Sequence, residues 1–239
     1  MSLAKGKSMI EVLYEDNHII VVKKPQNILS QSDITKDADM LSLVKDYIKI
    51  KHNKPGEAYV GLVHRLDRPT GGVMVFAKTS KAAARLCAQI EEKSFEKVYY
   101  AVVDGCPVHK QGRLEHFLVK DQTTNIVSVC GAGVLGAKKA VLTYKVVSSK
   151  NNISLVRVEI QTGRSPQIRV QLSSLKTPIW GDGKYGSKKS AQNLALWATK
   201  ISFVHPTTKQ KMTFISLPPM QNEPWNQFNE ADFKKEDLR

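Results

Sequence analysis

The chain has 239 residues, enough for one large domain or two small ones, and its 41% hydrophobic content is ordinary for a protein that packs a core. Its charge is not ordinary: 36 Lys and Arg against 22 Asp and Glu leave a formal net charge of +14, a long-range positive potential that draws polyanions. The three cysteines, Cys87, Cys106 and Cys130, are far apart and form no C-x-x-C, which excludes a disulfide framework or zinc site and makes a reducing cytoplasm the expected setting.

No basic amphipathic helix stands out, so nucleic acid is the expected polyanion rather than a membrane surface; a soluble protein with many surface lysines is the competing reading. The opening MSLAKGKSMIEVLYED carries no apolar h-region, so no signal peptide is expected. No run approaches the ~18 apolar residues that a bilayer span needs.

Residues 10–24, IEVLYEDNHIIVVKK, predict two short strands around a Glu-Asp-Asn turn, stopped by Pro25. Residues 39–51 predict a helix with Leu41, Val44 and Ile48 on one face, followed by a Lys54-Pro55-Gly56 turn. Residues 61–79, GLVHRLDRPTGGVMVFAKT, place a dense charged loop between two apolar runs. A helix follows, with Thr79 or Ser80 as N-cap and Ala83, Leu86, Cys87 and Ile90 as its buried stripe.

From residue 95 the pattern changes. FEKVYYAVVDG, RLEHFLVKD, NIVSVC, KKAVLTYKVVSS and NISLVRVEIQ are rich in β-branched and aromatic residues and are separated by turns, which suits an antiparallel meander. A short helix is expected at 166–175, with Ser165 as N-cap and Pro166 at the first helical position. The loop WGDGKYGSKKS and two strands, LALWATKISFVHP and KQKMTFISLPP, complete the core. The polar tail from Gln221 is expected to fray. The reading is one α+β domain over 1–239, core 10–218, on a mixed, mostly antiparallel sheet flanked by helices.

Two G-x-G-x-x-G stretches, at 131–136 and 181–186, invite a dinucleotide reading. The first is followed by another strand rather than a helix. The second lacks the acidic residue about 20 positions on, since nothing acidic occurs between Asp182 and Glu223. No nucleotide cofactor is expected, and no metal site.

Within HRLDRPTGG, Asp67 lies between Arg65 and Arg68. One reading is a local ion pair that pins a turn. The other is a carboxylate held for nucleophilic or electrostatic work in a cleft that attracts phosphate. In TGRSPQIRVQL, Arg164 precedes a helix N-terminus, a natural anion site, and Arg169 sits beside the buried stripe, where a guanidinium needs an acidic partner. In EKVYYAVVDG, Tyr99 and Tyr100 take opposite faces of a strand; one is a core tyrosine or a stacking platform for a base.

Together these stretches resemble the RluA-type RNA pseudouridine synthases. HRLDRPTGG resembles that family's HRLDxxTSG signature, EKVYYAVVDG its K-x-Y-x-A motif and TGRSPQIRVQL its TGRxHQIRVH motif. YEDNHIIVVKKPQNILSQ resembles its first strand pair, and WGDGKYG and LALWATKISFVHPTT its closing segments. The resemblance spans about residues 10–218.

It implies a mainly antiparallel sheet with a central cleft that holds RNA, and the isomerisation of uridine to pseudouridine in ribosomal or transfer RNA without metal or cofactor. It implies Asp67 as the catalytic carboxylate, attacking sugar or base or stabilising a glycal-type intermediate. Tyr99 is implied as the tyrosine against the target base, Arg169 as the arginine that pairs with the aspartate, and Arg65 as a residue that holds the RNA with its base flipped out. His64, Arg65, Arg68, Arg164 and Gln167 are the positions expected to contact RNA.

The chain departs from the family pattern at Gly71 (commonly Ser), at Pro166 and Gln171 (commonly His), and at Trp197, where LALHA would place His. Only about nine residues precede the first strand, so no small S4-type domain is expected, and one compact cleft implies a monomer. Two rival readings are an RNA-binding protein of the same fold without catalysis, and a glycosidase. The glycosidase would need a second carboxylate about 5 Å or more from Asp67, and no nearby motif supplies one.

Overall fold

The computed structural model describes residues 10–53, 55–189, 193–233 and 237. Lys54 of the expected turn lies outside them, as do residues 1–9 of the opening segment, Ser190 of the expected loop and parts of the tail.

The first hairpin joins β1 (Glu11–Glu15) to β2 (Ile19–Lys24). Asp16 closes its turn, accepting from the backbone N–H of His18 at 2.7 Å and Ile19 at 2.8 Å. α1 (Met40–Lys51) starts at Asp39, whose carboxylate accepts from the N–H of Ser42 at 3.0 Å, and buries Met40, Val44 and Ile48 at four-residue spacing. The short β3 (Gly61–Leu62) precedes the charged loop, and β4 (Gly71–Ala77) follows it. α2 (Ser80–Glu91) is capped by Thr79. The meander is β5 (Glu96–Asp104), β6 (Gln111–Lys120), β7 (Val127–Cys130), β8 (Lys138–Lys150) and β9 (Ile153–Ile160). α3 (Gln167–Ser174), β10 (Leu196–Val204) and β11 (Lys211–Ile215) complete it. Both glycine-rich decoys are loops: the first connects β7 to β8, and the second forms a single 3-10 turn at Gly183–Tyr185.

One sheet runs β1-β2-β4-β10-β5-β9-β8-β6-β7, with β3 against β4 and β11 against β10. All its pairings are antiparallel except β4 with β10, which is parallel over Gly71↔Trp197 and Gly72↔Ala198. The fold class is therefore α+β on a mixed, mostly antiparallel sheet. That short parallel contact joins the two halves of the sheet, and the charged loop ends at it.

β2 is buried on both faces, which explains its unbroken Ile-Ile-Val-Val run. Ile20 and Val22 join the main core with α1, while Ile19 and Val21 join a second core under α2 with Leu86 and Phe203.

The C-terminal tail does not fray as expected where it is described. Trp225, Phe228 and Phe233 are buried in the main core. Asp237 accepts from the Tyr100 hydroxyl at 2.9 Å and takes two bonds from the Arg157 guanidinium, the one from Nη2 at 2.9 Å. Three aromatic rings spaced through a polar stretch outweigh its overall composition, because each buried ring contributes about 2 kcal/mol.

Candidate active site

Loop 63–70 emerges between β3 and β4 and is held from beneath by Lys24, which is fully buried at the end of β2. Its ammonium donates to the carbonyls of Pro25, Arg68 and Thr70 at 3.0, 3.1 and 2.8 Å. Burial pulls this lysine down to about 7, while the charge of Asp67 acts in the opposite direction. The loop closes in a turn in which the Thr70 N–H donates to the Asp67 carbonyl at 2.9 Å.

The Asp67 side chain bonds to neither arginine that flanks it. Arg68 turns away to Asp37, at 2.8 Å, and to the Asn27 carbonyl at 3.2 Å. Arg65 is exposed and, among the described residues, makes no ion pair. The local ion-pair reading is thereby overturned. Asp67 instead accepts a hydrogen bond from the Ser165 hydroxyl. This corrects the expected N-cap: Pro166 occupies the cap position of α3, and Ser165 serves the carboxylate.

Tyr99 and Tyr100 divide as strand alternation requires. Tyr100 faces the C-terminal tail, and Tyr99 faces a cleft that Asp67 also lines. Burial first, and then the charge of Asp67, raise the Tyr99 phenol well above its ordinary range, so it stays protonated at neutral pH.

Arg169 lines the same cleft, but its direct partner is not Asp67. Its guanidinium donates twice to Asp182, both bonds at 2.7 Å, and lies over the Tyr185 ring at 4.9 Å. Burial opposes its charge; the bonds to Asp182 and the nearby charge of Asp67 outweigh that and raise it. Asp182 is the residue that sequence reasoning missed. A signal was available, since a guanidinium beside the core demands a carboxylate and Asp182 is the first acid after Arg169. Asp182→Asn therefore leaves Arg169 half-compensated. Turnover is expected to fall about tenfold or more, with RNA affinity little changed in filter binding, because a guanidinium without its full counter-charge no longer holds its place beside Asp67. Unchanged turnover would show that this pair does not position the site.

The cleft has a volume of about 1370 Å³. Eight Lys or Arg side chains line it against two aspartates, Asp33 and Asp67, among the described residues. Arg65, Arg68 and Arg164 are exposed along it. Two residues expected to contact RNA have other tasks. His64 is buried; its Nε2 accepts from the Val75 N–H at 3.1 Å, and burial followed by the charge of Lys97 pushes it down to about 3, leaving it neutral. Gln167 is 3% exposed. Its amide accepts from Thr162 and from the Arg164 N–H and donates to the Val141 carbonyl, fixing the loop that carries Arg164. Both residues still line the cleft, and among the described residues the Nδ1 of His64 has no hydrogen-bond partner.

Among the described residues no group of three His, Cys, Asp or Glu side chains is placed to hold a metal ion, and no helix is long and apolar enough to cross a membrane.

Three of the four departures from the family pattern, Gly71, Gln171 and Trp197, have structural reasons. Gly71 and Trp197 are register partners across β4 and β10, and a Cβ at Gly71 would overlap the Trp197 indole. The two departures are one exchange of volume across the sheet. Gln171 is fully buried, with its amide nitrogen 3.2 Å from the Leu114 carbonyl and 3.3 Å from the Ala140 carbonyl, tying α3 to β6 and β8.

The fold is shared with solved pseudouridylate synthases. Human RNA pseudouridylate synthase domain containing 4 superposes with a TM-score of 0.73 at 23% identity, over 88% of this chain and 89% of that one. The human domain containing 1 protein superposes with a TM-score of 0.68 at 20% identity, over 91% and 87%.

A sequence model of the RNA pseudouridylate synthase family matches residues 18–174, and the chain belongs to that family. It is 35% identical over 209 residues to the uncharacterized RNA pseudouridine synthase YhcT of Bacillus subtilis strain 168, covering 84% of this chain and 66% of that protein. It is 33% identical to ribosomal large subunit pseudouridine synthase D of Zymomonas mobilis, over 88% and 69%. It is also 33% identical to tRNA pseudouridine synthase C of Pasteurella multocida, over 87% and 90%. The chain thus spans about two thirds of the length of the first two relatives.

Proposed function

We propose that this chain is an RNA pseudouridine synthase acting on uridine in ribosomal or transfer RNA, with Asp67 as its catalytic carboxylate. The observation that carries this reading is the setting of Asp67: a carboxylate bonded to Ser165, close enough to Tyr99 and Arg169 for its charge to act on both, in a cleft lined mainly by cations. The N-glycosidic bond of the uridine breaks, the base turns, and its C5 bonds to the sugar; N1 gains a proton and C5 loses one. Tyr99 presents a ring face to the extruded base, and Arg169, oriented by Asp182, sets the field around the carboxylate.

Arg65, Arg68 and Arg164 neutralise the RNA backbone. Gln167 supports the Arg164 backbone from inside the fold, and His64 ties the start of the charged loop to β4 at Val75. The reading includes a monomer, because Asp67, Tyr99 and Arg169 line one cleft of one chain, and a cytoplasmic setting, which the three free cysteines suit. No nucleotide cofactor takes part.

The test is tritium release from transcripts labelled at uridine C5, using large-subunit ribosomal RNA and transfer RNA separately. Release from either supports the reading. Tight binding of both with no release would turn it toward an RNA-binding protein of this fold.

Arg65 has no partner to lose among the described residues, so its removal is expected to show in RNA binding rather than in stability. Arg65→Ala should weaken binding and reduce the slope of log affinity against log salt by about 0.7–0.9 for each phosphate that is no longer neutralised. A slope equal to that of the parent protein would remove Arg65 from the RNA interface.

A further inference from the structure

Lys97 stands apart from the other cations of the cleft. It is two residues from Tyr99 on β5, so the two side chains share a strand face, and both line the cleft. It is part-buried, and among the described residues its ammonium makes no hydrogen bond and no ion pair. Burial alone lowers it, with no carboxylate near enough to raise it again. Its charged end lies 5.6 Å from the centre of the Phe95 ring and beside Gly163, where even an added Cβ would come only to 3.9 Å. The neighbouring imidazole, His64, is neutral and offers no counter-charge; among the described residues its buried Nδ1 also has no partner.

An uncompensated cation held partly out of water destabilises the free protein. Such a group becomes favourable only when an anion reaches it. Arg65 and Arg164 are exposed and meet any RNA that approaches. Lys97 is less exposed than they are and lies on the strand face of Tyr99, so a nucleotide turned out of its helix onto Tyr99 comes up to it. The anion which that nucleotide brings is its backbone phosphate.

We propose that Lys97 is an RNA-positioning residue that receives the phosphate of the extruded nucleotide and holds it while Asp67 acts. This rests on the pseudouridine synthase reading. It differs from the roles of the exposed arginines because its bond to RNA forms only after the base has turned out, so it lowers the barrier of the bound complex more than it tightens first encounter.

The experiment compares the parent protein, Lys97→Met and Lys97→Arg for tritium release from labelled ribosomal and transfer RNA transcripts, together with thermal unfolding of the free proteins. Lys97→Met is expected to lower kcat about tenfold or more, to change KM less than about threefold, and to raise Tm, since an unpaired part-buried charge is gone. Lys97→Arg should recover most of kcat. A fall in Tm with Lys97→Met would mean an ordinary structural lysine, and a raised KM at unchanged kcat would mean another first-encounter residue; either overturns the proposal. Release by the parent protein with no change in Lys97→Met would overturn it while leaving the function intact. No release by the parent protein from either RNA would instead overturn the reading beneath it.

Discussion

Asp67→Asn is expected to abolish turnover, by at least about a thousandfold, while RNA affinity stays within a few fold of the parent protein. Asn has the shape of Asp, and its amide oxygen still accepts a bond from Ser165. The loop is held independently, by the three carbonyls that accept from Lys24 and by the Thr70 turn, so its path does not depend on the charge at position 67. What disappears is the negative charge that acts on the nucleotide. Under the proposed function the cations of the cleft supply RNA affinity, and removing one negative charge among them is not expected to weaken it. The measurement is tritium release beside filter binding, with deamidation excluded by mass spectrometry. Persistent turnover in an intact Asn variant would sink the assignment of Asp67.

The second large effect concerns the junction of the two half-sheets. Restoring the family's usual serine, Gly71→Ser, is expected to destabilise the fold by about 3 kcal/mol, because the new side chain must displace a buried indole. Trp197 is only 4% exposed, and its indole N–H donates to the Ser216 carbonyl at 2.9 Å, so it has nowhere to turn without loss. Trp197→His alone leaves a void over Gly71 and costs a similar amount, about 3 kcal/mol. The double variant, carrying both residues of the family pattern, should lose about 4 kcal/mol rather than the roughly 6 kcal/mol that independent sites would give, a coupling of about 2 kcal/mol. Urea unfolding of the four proteins measures the cycle. Strict additivity would refute the view that these two departures compensate each other. The adjacent Gly72 is a different constraint: its φ of +123° and the Ala198 backbone against it leave no room for any side chain.

Much of the site is legible in the sequence, for reasons of local chemistry. HRLDRPTGG can be placed between strands because apolar runs bracket it. Tyr99 can be assigned to one face of its strand because alternation is a local rule. Both G-x-G-x-x-G stretches can be set aside because the segments after them lack the pattern a phosphate-binding turn needs. A helix cap depends on a side chain reaching three residues along, and Thr79 caps α2 as its sequence predicts.

The differences between expectation and structure share a cause. Ser165 has the chemistry of an N-cap, but Asp67, 98 residues earlier, takes its hydroxyl. Arg169 is expected to pair with Asp67, while Asp182 takes both of its bonds. His64 and Gln167 are polar and are expected at the RNA, yet both are buried and bonded inward. The tail has a polar composition, and three spaced aromatic side chains dock it regardless.

The sequence by itself determined the strand and helix order, the basic character and the carboxylate with its aromatic and guanidinium companions, because periodicity, charge and motif spacing are properties of neighbouring residues. Only the tertiary structure decided which carboxylates Arg68 and Arg169 meet, that Gly71 and Trp197 share one volume, and that Lys97 has no counter-charge among the described residues. Those facts depend on which distant side chains the sheet brings within bonding distance, and on how much water remains between them.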